Sequence, residues 1–239
     1  MNSIGITVDH LSKSFGAARA LADVSLRCAP GNLHGLIGSD GAGKTTLMRC
    51  LAGLLRPAAG TIVFRSADAP VPFDAIRSRL AYMPSKQSLY PDLSIDEHLR
   101  FFRELYGLTD DAFRHKSSEL LAITRLEPFR GRLVGQLSGG MYKKTGLMCA
   151  LLQSPSVLLL DEPTNGVDPI SRREFWDLLY RLAAQNILIV IATAYMDEAE
   201  RCGHVHLLDG GRLIASGEPA ALLAARGVRS FDELFVNQP

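Results

Sequence analysis

Long apolar runs are missing from this 239-residue sequence. The longest, residues 157–160 and 187–192, fall far short of the ~20 residues a helix needs to cross a bilayer. Any membrane role is therefore expected to come through a partner. Cysteine is scarce too. Cys28, Cys50, Cys149 and Cys202 are scattered without C-x-x-C spacing, which suits buried thiols in a reducing cytosol better than a disulfide framework or a metal site. Met1-Asn2-Ser3-Ile4-Gly5 has neither a basic n-region nor an apolar h-region, so no secretory signal is expected. Charge of one sign is not in excess either: 26 basic and 25 acidic residues leave a formal net charge of +1. No global field draws the chain to nucleic acid or an anionic membrane, and no nucleic-acid partner is expected. Internal repeats and low-complexity tracts are also lacking. The remaining composition, 47% hydrophobic and 21% charged, is that of a globular chain long enough for one large domain or two small ones.

What is present is organised around Leu33-His34-Gly35-Leu36-Ile37-Gly38-Ser39-Asp40-Gly41-Ala42-Gly43-Lys44-Thr45-Thr46-Leu47. A short apolar strand ends in a glycine-rich turn, and Lys-Thr-Thr opens an amphipathic segment. Gly38, Gly43, Lys44 and Thr45 fit G-x-x-x-x-G-K-[ST], the phosphate-cradling loop. Gly38, Gly41 and Gly43 allow the backbone to turn successive N–H groups, those of residues 39–46 among them, toward an anion. The following helix adds the positive end of its dipole. Lys44 would reach the β- and γ-phosphates, and the Thr45 hydroxyl would face Mg²⁺. The pattern implies binding of a nucleoside triphosphate.

Around this loop, alternating or continuous apolar residues predict strands at residues 4–8, 24–28, 33–37, 61–64, 80–83, 157–161, 187–192, 205–208 and 212–215. The last two flank Asp209-Gly210-Gly211, a hairpin signal. The loop helix is expected to run from Gly43 to about Leu55, stopped by Arg56-Pro57. Residues 69–74, rich in proline, read as a loop. Ser94-Ile95-Asp96-Glu97 is a capping-box signature for a helix ending at Gly107. A second helix is expected over 110–123 and a third from Ser138 to about Gln153. Asp168-Pro169 starts another, with Asp as N-cap and Pro first, and residues 196–201 form a short one. Strands alternating with helices imply an α/β fold with a largely parallel sheet, interrupted by a helical block between Tyr90 and Gln153.

Asp161 and Glu162 close a buried strand, at the carboxyl edge where α/β sheets bind ligands. Asp161 suits a Mg²⁺-linked role and Glu162 the polarisation of an attacking water. With these residues in view, the chain resembles the ATP-binding subunit of an ABC transporter over nearly its whole length. Leu137-Ser138-Gly139-Gly140-Met141 is similar to the family signature, Gly166-Val167-Asp168 to the D-loop, and Phe15 stands where the family stacks an aromatic ring on adenine. A core role for Phe15 is the alternative. The resemblance implies a P-loop NTPase (RecA-like) core with an N-terminal antiparallel β part and an inserted helical subdomain. It would be a single domain over 1–239, with the core at 1–87 and 154–239 and the subdomain at about 88–153. It also implies ATP and Mg²⁺ as ligands, with Thr45 and Asp161 on the metal. A head-to-tail homodimer or heterodimer would hold each ATP between one phosphate loop and the other subunit's Ser138-Gly139-Gly140. An integral membrane permease would be the partner, at the cytoplasmic face. Tyr90-Pro91-Asp92-Leu93-Ser94, Met141 and Asp197-Glu198-Ala199-Glu200 look most like the multidrug and antibiotic export branch.

The departures from the pattern are specific. Asp40 replaces a common Asn, which is neutral for a left-handed turn. Ser85 occupies the usual Q-loop Gln position, with Gln87 two residues on, and Ala194 the position of the switch His. His204 and His206 lie too far downstream to replace it. Two outcomes stay open: these losses are tolerated, or the site binds ATP well and hydrolyses it poorly, as a regulatory subunit beside a competent one. A soluble ABC ATPase acting on ribosomes or DNA is a further rival, though the chain has neither a long coiled coil nor a tandem nucleotide domain.

Overall fold

The computed structural model describes residues 3–67 and 69–236. Met1 and Asn2, part of the segment read above for a secretory signal, lie outside the described residues.

Two sheets carry the fold. Strands β1 (Ile4–Phe15), β2 (Ala18–Cys28), β4 (Ala59–Ser66) and β5 (Ala69–Val71) form an antiparallel sheet in the order β2-β1-β4-β5. The core sheet has the order β10-β9-β3-β8-β7-β6. It comprises β3 (Leu33–Ile37), β6 (Leu80–Met83), β7 (Val157–Asp161), β8 (Leu188–Thr193), β9 (His204–Asp209) and β10 (Arg212–Gly217). Every neighbouring pair in it is parallel except the β9–β10 hairpin at its edge. Every residue of β3, β7 and β8 is buried, which is why these strands read as unbroken apolar runs: both faces of a parallel sheet are covered.

One face packs on α1 (Lys44–Leu51) and the antiparallel sheet, with Leu36, Leu47, Leu51, Val157, Leu159 and Val190 among the shared core. The other packs on α5 (Gly139–Leu151) and α6 (Pro169–Ala183), through Leu158, Leu160, Met148, Phe175, Leu179 and Ile189. Helices α3 (Ile95–Tyr106) and α4 (Asp110–Thr124) lie between β6 and β7 in sequence and join this second core through Ile95, Leu99, Leu120 and Leu121. Ser94 and Glu97 form the expected capping box on α3, and Gly107 closes that helix at φ 64°. Helix α6 is capped by Asp168 Oδ1, which accepts from the N–H groups of Ile170 and Ser171. The short 196–201 helix is a 3₁₀ segment.

Three expectations are corrected. Residues 69–74 are not a loop: Pro70 sits on the edge strand β5, where its missing N–H is harmless, and Pro72 leads directly into α2 (Phe73–Arg77). Helix α1 ends at Leu51 rather than near Leu55. Gly53 takes φ +69°, and a Cβ there would meet the Phe73 ring at 2.3 Å, so the chain turns beneath that ring before reaching Pro57. β1 continues past Val8 to Phe15 through register shifts at residues 8–14, with His10 at φ 50°, as bulged strands do. Two helices not expected, α7 (Pro219–Arg226) and α8 (Phe231–Val236), follow β10.

Candidate nucleotide site

The glycine-rich turn leaves β3 at Gly38 and enters α1 at Lys44. Gly41 and Gly43 adopt φ +83° and +103°, backbone that side-chain-bearing residues rarely tolerate. Gly38 is required for space instead: a Cβ there would meet the Leu208 carbonyl oxygen at 2.2 Å. Gly43 caps α1 without any side-chain acceptor, so the first N–H groups of the helix face the turn rather than a cap. Lys44, 4% exposed, folds back across the turn and donates to the carbonyls of Gly38 and Ser39 at 2.8 and 3.0 Å. Burial pulls its pKa below the ordinary lysine value, against the opposing pull of Glu162, Asp40 and Asp161. Ser39, Asp40 and Gly41 are exposed, Ala42 is buried, and Thr45 and Thr46 are half-buried.

β7 runs beside β8, two strands from β3, and delivers Asp161 to this turn. The Thr45 hydroxyl donates to Asp161 Oδ1 at 3.1 Å, and the Tyr82 hydroxyl to Oδ2 at 3.2 Å. Burial and the adjacent carboxylate push the Tyr82 phenol up to about 12, so it remains a donor. A hydroxyl and a carboxylate oxygen so placed are the hard donors Mg²⁺ takes while keeping several waters. Glu162 follows in left-handed backbone, φ 49°, with its N–H donating to Ala192 O at 2.8 Å. Its carboxylate lies 3.8 Å from Lys44 Nζ and accepts from Asn165 Nδ2 at 3.0 Å. Lys143 Nζ, from α5, donates to the Glu162 carbonyl at 3.1 Å; burial lowers its pKa as well.

A family profile described as ABC transporter matches residues 21–165. The chain belongs to the ABC transporter family. It is 47% identical to the probable multidrug ABC transporter ATP-binding protein YbhF of Escherichia coli (strain K12) over 97% of its length, yet spans only 40% of that relative. It is 38% identical to the Nod factor export ATP-binding protein I of Paraburkholderia xenovorans (strain LB400), covering all of this chain and 79% of that one. A solved ATP-binding subunit of an ABC transporter superposes with a TM-score of 0.83 at 31% identity, over 97% of this chain and 98% of that chain. The α/β fold expected from the sequence is thus the fold of ABC ATPase domains.

The signature-like segment of this ABC chain opens α5. The Ser138 hydroxyl accepts from the Met141 N–H at 3.3 Å, and Ser138 and Gly139 are exposed while Leu137 is half-buried. A Cβ on Gly139 would meet the Gly166 carbonyl at 2.9 Å, and one on Gly140 the Ser171 side chain at 2.5 Å. Gly166, Val167 and Ser171 therefore pack against the signature of the same chain. Ser85 and Gln87 line a cavity of about 400 Å³ with Leu137, Gly139, Lys143 and Asn165. Ala194 follows β8, beyond the Ala192 carbonyl that holds Glu162. Phe15 is 50% exposed with Lys13 Nζ 5.4 Å from its ring centroid; it is not a core residue.

Reading by motif passed over Tyr82, Lys143, Asn165 and the partner of Tyr195. The Tyr195 hydroxyl donates to Asn165 Oδ1 at 3.3 Å, so a line of hydrogen bonds runs from Tyr195 through Asn165 to Glu162. Arg172 lies over the Tyr195 ring at 4.5 Å. Lys143-Lys144, two cations opening an otherwise apolar helix, were the one visible signal.

Proposed function

We propose that this chain is the ATP-binding and ATP-hydrolysing subunit of an exporter, working as a head-to-tail dimer on an integral membrane permease at the cytoplasmic face. The convergence of Lys44, Thr45, Asp161 and Glu162 on one glycine-rich turn carries this reading. The N–H groups of residues 39–46 hold the phosphates, aided by the α1 dipole. Lys44 exchanges the Gly38 and Ser39 carbonyls for phosphate oxygens, and because it is already desolvated its charge acts in a low-dielectric site. Thr45 and Asp161 would hold Mg²⁺, which when bound neutralises charge on the phosphate oxygens. Glu162 orients and polarises the attacking water, with Asn165 and Lys143 fixing its carboxylate and backbone. Phe15, exposed at the end of β1, stacks on adenine. Residues 88–153 act as one helical subdomain that presents Ser138, Gly139 and Gly140, with Leu137 and Met141 flanking, to the partner's ATP. Gly166, Val167 and Asp168 couple that surface to Glu162.

Export is favoured by the relatives named for multidrug transport and Nod factor export, and no described helix is long and apolar enough to cross a membrane. A second reading, slow hydrolysis, is favoured by Ala194 and Ser85 offering no imidazole or amide where the family has them, while the Tyr195–Asn165 line reaches Glu162 from the same side. The test is phosphate release by the purified chain. Glu162→Gln should bind ATP undiminished and release phosphate at least ~10²-fold more slowly; unchanged release would remove Glu162 from the chemistry.

A further inference from the structure

Away from the nucleotide, three buried ligating side chains meet between the two sheets. Cys28 ends β2, His34 lies on β3 and His206 on β9, each no more than 3% exposed. In the β3–β9 register His206 is opposite Leu36 and His204 opposite His34, so the imidazoles of 34 and 206 stack at 5.4 Å between centroids. Cys28 Sγ is 3.8 Å from His206 Nε2, which is 3.3 Å from His34 Nδ1. All three ligand atoms lie within 4.8 Å of one another. A tetrahedral zinc ion with Zn–S ≈ 2.3 Å and Zn–N ≈ 2.0–2.1 Å separates its S and N ligands by about 3.6 Å and two N ligands by about 3.4 Å. We propose that Cys28, His34 and His206 form a binding site for a thiolate- and imidazole-preferring metal ion of the Zn(II) class, with its fourth position open to solvent.

Outer groups are in place for the ligands. His206 Nδ1 faces Ser216 Oγ at 2.8 Å, an acceptor for a proton on Nδ1 in the tautomer whose Nε2 would ligate. His34 Nε2 faces both halves of one residue, the Ala29 N–H at 2.9 Å and the Ala29 carbonyl at 3.3 Å. Without metal, Nε2 accepts from the N–H and Nδ1–H donates to His206. With metal on Nδ1, the proton sits on Nε2 and turns to the carbonyl. Burial keeps both imidazoles neutral, His34 at about 4 and His206 at about 3, and pushes the Cys28 thiol up to about 12. Binding therefore forms an S–M bond as the S–H bond breaks, releasing one proton per ion. Cys28 and His34 also line a cleft of about 680 Å³, which gives the ion and its water ligand a path in. A bound ion would tie the antiparallel sheet to β3, the strand that ends in the phosphate loop.

The experiment uses the tag-free chain without nucleotide, titrated with Co(II) and then Zn(II). The expected result is intense tetrahedral d–d absorption with a thiolate charge-transfer band at one equivalent, displaced by Zn(II). One proton should leave per Zn(II), and Tm should rise. Cys28→Ser should lose the charge-transfer band and weaken binding more than ~10-fold, whereas Cys149→Ser should keep both. The wild-type measurements stand even if a variant misfolds. Weak octahedral absorption alone, no proton release, or a thiolate band that survives Cys28→Ser would overturn the site.

Discussion

Replacing Ala194 by histidine should speed ATP hydrolysis. The main chain at 192–193 is pinned between the two halves of the site: Ala192 O accepts from Glu162 N–H at 2.8 Å, and Thr193 O from Gly38 N–H at 3.4 Å. A side chain at 194 thus leaves β8 between the phosphate turn and the carboxylate. An imidazole there adds a group able to stabilise charge on the γ-phosphate and orient water, a contribution of about 3–5 kcal/mol in barrier. Part of that orientation is already supplied through Tyr195, Asn165 and Glu162, and one such hydrogen bond is worth about 1 kcal/mol. The difference, about 2–4 kcal/mol, predicts a gain of about 30- to 1000-fold. Because Ser85 supplies no amide, Ala194→His alone should fall toward the lower end, with Ser85→Gln added moving it up. Steady-state phosphate release from wild type, single and double variants measures this. A wild type already turning over at ~1–100 s⁻¹, with neither variant faster, would refute the reasoning and make the chain a competent ATPase that uses another group.

Three further outcomes follow from particular contacts. Ser138→Arg should leave ATP binding by the monomer intact but abolish ATP-dependent dimers in size-exclusion runs, with about 1 kcal/mol of helix-cap stability lost alongside; loss of monomer binding would make the segment structural in cis. Phe15→Ala should weaken ATP affinity by about 1–3 kcal/mol, the range for base–aromatic stacking, measured by titration calorimetry. Glu198 is fully buried and accepts from Thr164 Oγ1, Arg172 Nε and Trp176 Nε1 at 2.6, 2.8 and 3.1 Å. Its replacement by Ala should cost about 3–5 kcal/mol in urea unfolding by stranding those donors, and a loss under 1 kcal/mol would show that the cluster relaxes.

The parts legible in the sequence were those whose signal is local. Buried parallel strands such as β7 and β8 show as apolar runs, Ser94 and Glu97 as a capping box, and Asp168-Pro169 as a helix start, because each is fixed by neighbours a few residues away. The phosphate loop and Asp161–Glu162 belong to the same class. What escaped depends on distant partners. Proline at residue 70 hides an edge strand that exists only because β4 pairs with it. Pro219 and Gly227 mark the ends of α7, a helix that a search for apolar runs passes over. Asn165, Tyr82 and Lys143 gain meaning only where β6, β7 and α5 converge. Cys28, His34 and His206 have no ligand spacing at all, and strand pairing brings them within 4.8 Å.

Equilibrium ATP binding by the wild type and Lys44→Ala tests the central claim most directly. Lys44 is a buried cation whose amine spans the turn, held on the Gly38 and Ser39 carbonyls and 3.8 Å from Glu162. Charge-assisted bonds to a desolvated phosphate are among the strongest a site can make. The account predicts micromolar-range binding of Mg–ATP by the wild type and severe weakening or loss in Lys44→Ala, with thermal stability of the free protein little changed. Binding retained at wild-type strength by Lys44→Ala would contradict it, because the triphosphate would then lie elsewhere on the molecule.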